Sequence, residues 1–223
     1  MITRLFTDRT GGASKDRFAS LNLGLQVGDD PAKVLLNRKI LESKSAPIVY
    51  MNQVHGDTVL VIEGPTNLSI IADAMVTQES GIALGVLVAD CIPVLLWDQQ
   101  SSCIAVAHVG RRGLQNGIIH KTIDVMRELG AESISAEFGP SICGKCYEVG
   151  QDVFDEVVAS RPHAKSSETA FDFALDLPAA LDYELESLEI SVLRSSICTF
   201  ESASYFSYRR DGLTGRSAGV IWQ

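Results

Sequence analysis

The chain has 223 residues, of which 46% are hydrophobic and 21% are charged, and its formal net charge is −9 at pH 7. These values are ordinary for a soluble enzyme with one domain, residues 1–223, and a substantial core. The negative charge argues against a nucleic-acid partner, and the absence of an apolar stretch near ~20 residues argues against a membrane one. The N-terminal residues lack the apolar core of a secretory signal, so we expect a cytosolic protein with reduced cysteines.

The first half of the chain predicts one helix and several strands. Asp30 and Pro31 are typical of a helix N-cap and first turn, and the apolar spacing continues the helix to Leu41. The last two apolar runs are separated by a polar stretch and predict an antiparallel hairpin. The predicted strands are 48–51, 58–62, 82–88, 92–97 and 103–109.

The second half predicts helices outside a sheet. Helical spacing runs from Leu114 to Leu129, with Gly130 as its stop. A second helix surrounds Val157, and a third begins at the cap Asp176. The predicted strands here are 190–193, 204–208 and 218–222. The whole pattern predicts an α/β (α+β) fold with hairpin-linked strands and helices outside.

Three chemically reactive side chains, His55, Cys91 and His108, each adjoin or end a hydrophobic run. Cys91 begins one strand of the predicted hairpin and His108 ends the other, so the two should lie side by side. Two imidazoles and a thiolate suit zinc, with a fourth position left for water or substrate. The spacing matches no short zinc-finger pattern, and three ordinary buried residues are the alternative interpretation.

Seven short motifs run in order along nearly the whole chain. They are FASLNLG (18–24), NQVHGD (52–57), DAMVT (73–77), ADCIPVLL (89–96), AHVGRRG (107–113), FGPSI with CYEV (138–149) and SYRRDGLTGR (207–216). Together they resemble the YfiH/YlmD family, often labelled a polyphenol oxidase or laccase domain. Two departures concern substrate preference: Arg111 stands where the family usually has Trp, and Cys143-Gly144-Lys145 alters the segment after the Gly-Pro.

The resemblance implies two packed mixed β-sheets flanked by helices, with the site in a cleft. It implies a zinc-dependent purine nucleoside phosphorylase acting on adenosine, inosine or guanosine, with adenosine deaminase and methylthioadenosine phosphorylase activity as further possibilities. The partners would be a nucleoside and phosphate. Arg38 is the first candidate for phosphate, assisted by Arg112 at a helix start. Zinc held by His55, Cys91 and His108 would act as a Lewis acid or activate water.

Other side chains are assigned by chemistry. Arginine clusters suit a small anion, and Arg111 is a further substrate-binding candidate, although paired arginines are also common on a solvated surface. Asp73 and Asp90 are candidates for positioning, substrate binding or proton transfer. Asp90 would point to the opposite strand face from Cys91, which weakens its assignment as catalytic.

Three other functions stay open. A laccase would use copper, but a multicopper cluster consumes more imidazoles than four histidines supply; a single His2Cys copper centre remains open. Cys91 with His108 or His55 could act as a cysteine hydrolase or amidase, including one that edits cell-wall precursors. The third function is a non-catalytic binding module with a structural zinc. Such a zinc normally has four protein ligands, and this group supplies three.

Cys143 and Cys146 form a C-x-x-C without a second such pair, so we treat them as ordinary thiols. The preferred nucleoside and the oligomeric state are left open.

Overall fold

The computed structural model of the protein describes residues 1–65 and 70–223. Its strands form two mixed sheets that lie face to face, with helices on both outer surfaces. The first sheet contains, in spatial order, β1 (Thr3–Phe6), β11 (Ser217–Trp222), β6 (Ala83–Val88), β2 (Ile48–Asn52) and β4 (Ile70–Ile71). The second contains β10 (Ser191–Arg194), β9 (Ser135–Phe138), β7 (Ile92–Asp98), β8 (Cys103–Val109), β5 (Ala74–Thr77) and β3 (Val59–Val61).

The two sheets share one apolar core, and each has a second core on its outer face. In β8, Ile104 and Val106 pack against the first sheet, whereas Ala105 and Ala107 pack against the helices. Side chains alternate between the faces of a strand, so a strand buried on both faces is apolar throughout. This is why 103–109 reads as an uninterrupted hydrophobic run.

The helices cover the outer faces of both sheets. They are α1 (Pro31–Glu42), α2 (Arg111–Gln115), α3 (Ile118–Glu128), α4 (Gln151–Ser160), α5 (Leu177–Ser187) and α6 (Tyr208–Asp211). The predicted caps are confirmed, since Asp30 and Asp176 each accept a hydrogen bond from a backbone N–H in the first turn of their helix. Among the described residues, no helix has the length and apolarity required to cross a bilayer.

The predicted single helix over 114–129 is wrong, because two helices occupy this segment. Asn116 and Gly117 separate α2 from α3, and Gly117 has a φ of +73°. Glycine adopts this left-handed conformation without a Cβ clash, and a continuing α-helix cannot include it. Gly130, with a φ of +88°, does end α3 as expected.

The predicted strand over 204–208 is also wrong. Arg210 folds this segment by donating hydrogen bonds from its guanidinium to several carbonyls of the preceding loop. Ser207 then accepts a hydrogen bond from the Arg210 N–H and caps α6. One half-buried guanidinium therefore satisfies carbonyls of a loop that has no partner strand in the described part of the chain.

Candidate metal centre and substrate cleft

The topology places His55, Cys91 and His108 at one edge of the space between the sheets. β2 and β6 run parallel, so the loop after β2, which carries His55, lies beside the loop after β6, which carries Cys91. In the antiparallel hairpin, Pro93 pairs with His108. The hairpin of β7 and β8 thus brings Cys91 and His108 together, as predicted. The parallel pairing of β2 with β6 adds His55 to them.

The three side chains are close enough to share one ion. One ligand atom from each lies within 4.8 Å of the others, and Cys91 Sγ is 4.0 Å from His55 Nε2. The two imidazole rings meet edge to face, with centroids 4.7 Å apart. Ligands of a tetrahedral zinc, at about 2.0–2.3 Å from the metal, lie roughly 3.3–3.8 Å apart. Shortening these separations by about 1.5 Å or less would complete the set.

Asp73 positions two of these residues from beneath. Its carboxylate is fully buried, lies 2.8 Å from His108 Nδ1 and accepts hydrogen bonds from the backbone N–H groups of Val54, His55 and Gly56. The contact with Nδ1 leaves Nε2 of His108 facing the cleft. Burial acts to raise the pKa of Asp73, but the His108 and backbone hydrogen bonds outweigh it and lower that pKa. Asp73 is therefore a positioning residue and does not line the cleft.

Cys91 and His108 favour the charged thiolate–imidazolium form. Burial opposes charge on both groups, but their mutual attraction dominates, and hydrogen bonds add to it. The pKa of Cys91 is lowered to about 6 and that of His108 is raised to about 9. A thiolate is the form that both metal binding and nucleophilic attack require.

Gly110 allows the backbone to pass directly over this group. A Cβ at this position would lie 2.9 Å from Cys91 Sγ and 3.3 Å from a carbon of the His55 ring. Any side chain here would displace the ligands, so the close approach requires glycine.

The three residues open into a cavity of about 950 Å³. This volume suits a small-molecule ligand such as a nucleoside. Among the described residues, its cationic lining consists of Arg38, Lys39, Arg111, Arg209 and Arg216, and its acidic lining of Glu42 and Asp90. A chain with a net charge of −9 therefore has a cleft with an excess of cations, which favours an anionic ligand.

Arg38 is held in this wall by two contacts. Its Nε donates to the Leu23 carbonyl at 3.0 Å, and its guanidinium stacks 4.0 Å from the centroid of the Tyr50 ring. Burial lowers the pKa of Arg38 and the neighbouring Tyr50 opposes that change. A fixed, partly desolvated guanidinium is the group best suited to bidentate recognition of phosphate.

Of the two neighbouring arginines predicted to bind substrate or phosphate, Arg111 lies in the cleft and Arg112 does not. Arg111 lines the cavity and donates to Gln115 Oε1 at 3.1 Å, so its side chain faces the cleft. Arg112 is exposed and lies outside the residues that line the cleft, so the geometry gives its phosphate assignment no support.

Asp90 does not lie in a strand, contrary to our expectation. Its φ of +88° places it in the turn before β7, and it lines the cleft. Its carboxylate accepts hydrogen bonds from Thr199 Oγ1 and from the Arg209 N–H, each at 2.7 Å. Asp90 thus fastens the loop at Thr199 and the first turn of α6 beside Cys91.

Sequence reasoning missed several side chains in the cleft, among them Tyr147 and Gln53. Tyr147 lines it, and burial followed by the charge of Cys91 raises the pKa of its hydroxyl. Gln53 clamps β6 by donating to the Leu87 carbonyl at 2.7 Å and accepting from the Leu87 N–H at 2.8 Å. Gln53 lies in the NQVHGD motif and Tyr147 in the CYEV motif, so their place in the family motifs was the sequence signal that could have identified them.

Comparison with known proteins gives a consistent family. Residues 3–223 match the family described as multi-copper polyphenol oxidoreductase laccase. A Streptomyces coelicolor protein named purine nucleoside phosphorylase is 46% identical over 227 residues, covering 97% of this chain and 93% of its own.

Solved structures agree with the fold. A Neisseria meningitidis protein superimposes with a TM-score of 0.88 at 37% identity, over 99% of this chain and 93% of its own. YlmD from Geobacillus stearothermophilus superimposes with a TM-score of 0.87 at 31% identity, over 100% of this chain and 92% of its own. The expected arrangement of two mixed sheets flanked by helices is confirmed.

Proposed function

The chain belongs to the family described as multi-copper polyphenol oxidoreductase laccase, and we propose that it is a zinc-dependent purine nucleoside phosphorylase acting on adenosine, inosine or guanosine. The observation that carries this proposal is a group of two histidines and a cysteine opening into a cation-lined cleft of about 950 Å³. The name of the Streptomyces coelicolor relative supports the reaction class.

Phosphorolysis requires phosphate to attack the ribose C1′ while the bond to the purine breaks. Arg38 would hold the phosphate, since its Nε bonds Leu23, one face of its guanidinium stacks on Tyr50, and its terminal nitrogens remain for a ligand. Fixing the anion in place removes much of the entropic cost of bringing the two reactants together.

The leaving purine carries developing negative charge and needs a proton or a hydrogen-bond donor. Tyr147 suits the role of hydrogen-bond donor because it lines the cleft as a protonated hydroxyl, and burial, which raises its pKa, favours keeping that proton. His55, Cys91 and His108 would hold zinc, and their donor set of two imidazoles and a thiolate fits that ion. When bound, zinc would supply Lewis acidity or lower the pKa of a water molecule.

The same proposal includes adenosine deamination and phosphorolysis of methylthioadenosine, as the family resemblance implies. Deamination adds water to the purine ring and releases ammonia, so it needs no phosphate. Phosphate dependence therefore separates the two reactions on one substrate, adenosine.

The residues do not suit a multicopper centre, despite the family description. The chain has four histidines. Outside the metal group, His120 pairs with Glu184 at 3.4 Å and His163 stacks on Tyr183 at 3.5 Å, and neither lines the cleft. A three-copper cluster would need more imidazoles than the cleft presents.

The test combines metal analysis with product analysis. The purified protein is assayed by liquid chromatography with adenosine, inosine and guanosine, with and without phosphate, and its zinc and copper are measured. We expect phosphate-dependent release of free base and its loss in Cys91→Ala. Base release that is indifferent to phosphate would indicate hydrolysis and contradict the proposal.

A second candidate function has one specific observation in its favour. Cys91, His108 and Asp73 form a nucleophile, base and orienting carboxylate, which is the arrangement of a cysteine hydrolase or amidase. Such an enzyme needs a free thiolate, so zinc would inhibit it. A hydrolase or amidase activity that rises when zinc is chelated, and that disappears when Cys91 is alkylated, would favour this alternative over the phosphorylase.

A further inference from the structure

A second group of metal-binding side chains lies outside the cleft. Cys143, Cys146, Cys198 and Glu201 each offer one ligand atom, and these atoms lie within 4.8 Å of one another. The sequence predicted ordinary thiols because the C-x-x-C had no second pair. The structure supplies the missing partners from a segment about fifty residues further along the chain.

Backbone contacts join the two segments that carry these residues. Ser141 and Cys198 form an isolated parallel bridge, and the Thr199 N–H donates to the Ser141 carbonyl at 3.0 Å. The Cys143 N–H donates to Cys198 Sγ at 3.4 Å. This contact fixes Cys198 Sγ beside the backbone of the C-x-x-C segment.

Local turns aim the side chains at a common point. The N–H groups of Cys146 and Tyr147 both donate to the Cys143 carbonyl, which curls the C-x-x-C into a tight turn. Gly144 permits this turn to lie against the start of α5, because a Cβ there would come within 2.6 Å of the Asp176 Cβ. The Ser202 N–H donates to the Cys198 carbonyl and forms a similar turn around Glu201.

We propose that Cys143, Cys146, Cys198 and Glu201 form a structural Zn²⁺ site, separate from the group in the cleft. Three thiolates and a carboxylate complete a four-coordinate shell, the closed arrangement typical of structural zinc, and the Cys-x-x-Cys spacing is one that such sites use. Tetrahedral ligands at about 2.3 Å lie roughly 3.8 Å apart, so the side chains need to move by about 1 Å or less. This inference does not depend on the proposed enzymatic activity.

The site would fasten the wall of the cleft. Tyr147 follows Cys146 directly and lines the cleft, while Thr199 follows Cys198 and bonds Asp90 beside Cys91. An ion joining the two segments would hold both contacts in place. The two groups share no ligand, so a substitution in one removes no ligand from the other.

The experiment measures zinc per chain by elemental analysis after purification under reducing conditions. The proteins are wild type, Cys198→Ala, Cys91→Ala and the double variant, with Cys103→Ala as the control because that buried thiol belongs to neither group. We expect two zinc ions in the wild type and control, one in each single variant and none in the double variant. Cobalt loaded into Cys91→Ala should give intense sulfur-to-metal absorption, as three thiolate ligands require.

Several results would overturn the proposal. One is a single zinc in the wild type that disappears in Cys91→Ala, because no metal would then remain for the second group. Another is an unchanged zinc content in a folded Cys198→Ala protein. If Cys198→Ala does not fold, the Cys91→Ala protein decides the question, since it retains every proposed ligand and must hold one zinc. Loss of catalysis alone would bear on the cleft and not on this site.

Discussion

Asp73 Oδ1 lies 2.8 Å from His108 Nδ1, and the same carboxylate accepts hydrogen bonds from the backbone around His55. One buried anion thus fixes the ring orientation of one proposed ligand and the turn that carries another. His55 has a φ of +59°, a conformation uncommon outside glycine, and the three N–H groups gathered on Asp73 hold it there.

Asp73→Asn should weaken zinc binding in the cleft by about 10–100-fold, the usual effect of losing the partner of a ligating histidine. An amide places N–H donors where the carboxylate accepts four hydrogen bonds, so the His55 turn and the His108 ring would both lose support. The dissociation constant is measured by competition with a chelating dye in a Cys198→Ala background. Asp57→Asn is the control, because its carboxylate pairs with Lys121 at the surface. Equal affinities in the two variants would contradict the positioning role.

Zinc affinity in the cleft should rise with pH. Between the pKa of Cys91 at about 6 and that of His108 at about 9, the metal-free pair retains one proton, on His108. Zinc needs Nε2 of His108 unprotonated, so binding releases that proton. The dissociation constant should therefore fall about tenfold per pH unit between pH 7 and 8.5 and level off above about 9. Proton release is measured by titrating zinc in buffers of different ionisation enthalpy. A zinc affinity that does not change between about pH 7 and 8.5 would show that His108 carries no proton in the metal-free protein.

The sequence predicted the parts of the site that short-range rules govern. Cys91 and His108 flank a hairpin, whose antiparallel register necessarily puts its two open ends together. Asp73 could be named a candidate, but its bond to His108 depends on β5 pairing with β8, and 73–77 shows no clear strand pattern. Cys198 and Cys143 are brought together by a single bridge between irregular segments, which no periodicity encodes. Arg210 likewise overrides the local strand preference of 204–208 through contacts with the loop before it.

Arg38→Ala should raise the KM for phosphate by about 10–100-fold, because a hydrogen bond to a charged group contributes about 1.5–3 kcal/mol. The KM for the nucleoside should change much less. Arg112→Ala is the matched control, since that arginine is exposed and outside the cleft lining. Initial rates at varied phosphate give both constants, and thermal unfolding checks that losing the stack on Tyr50 leaves the protein folded. Equal effects of the two substitutions would remove Arg38 from phosphate binding.

Arg111→Trp should shift substrate preference towards less polar nucleosides. Arg111 faces the cleft beside Gln115, and its charge at the start of α2 opposes the helix dipole at a cost of about 0.3–1 kcal/mol. An anionic or polar ligand offsets that cost, whereas an indole offers an apolar face. We expect the ratio of kcat/KM for methylthioadenosine to that for adenosine to rise about tenfold, the scale on which a small apolar group is discriminated. Arg111→Gln removes the charge without adding a ring. It therefore separates the effect of losing the charge from the effect of gaining an apolar ring. If the substrate profiles of wild type and Arg111→Trp coincide, Arg111 has no part in selectivity.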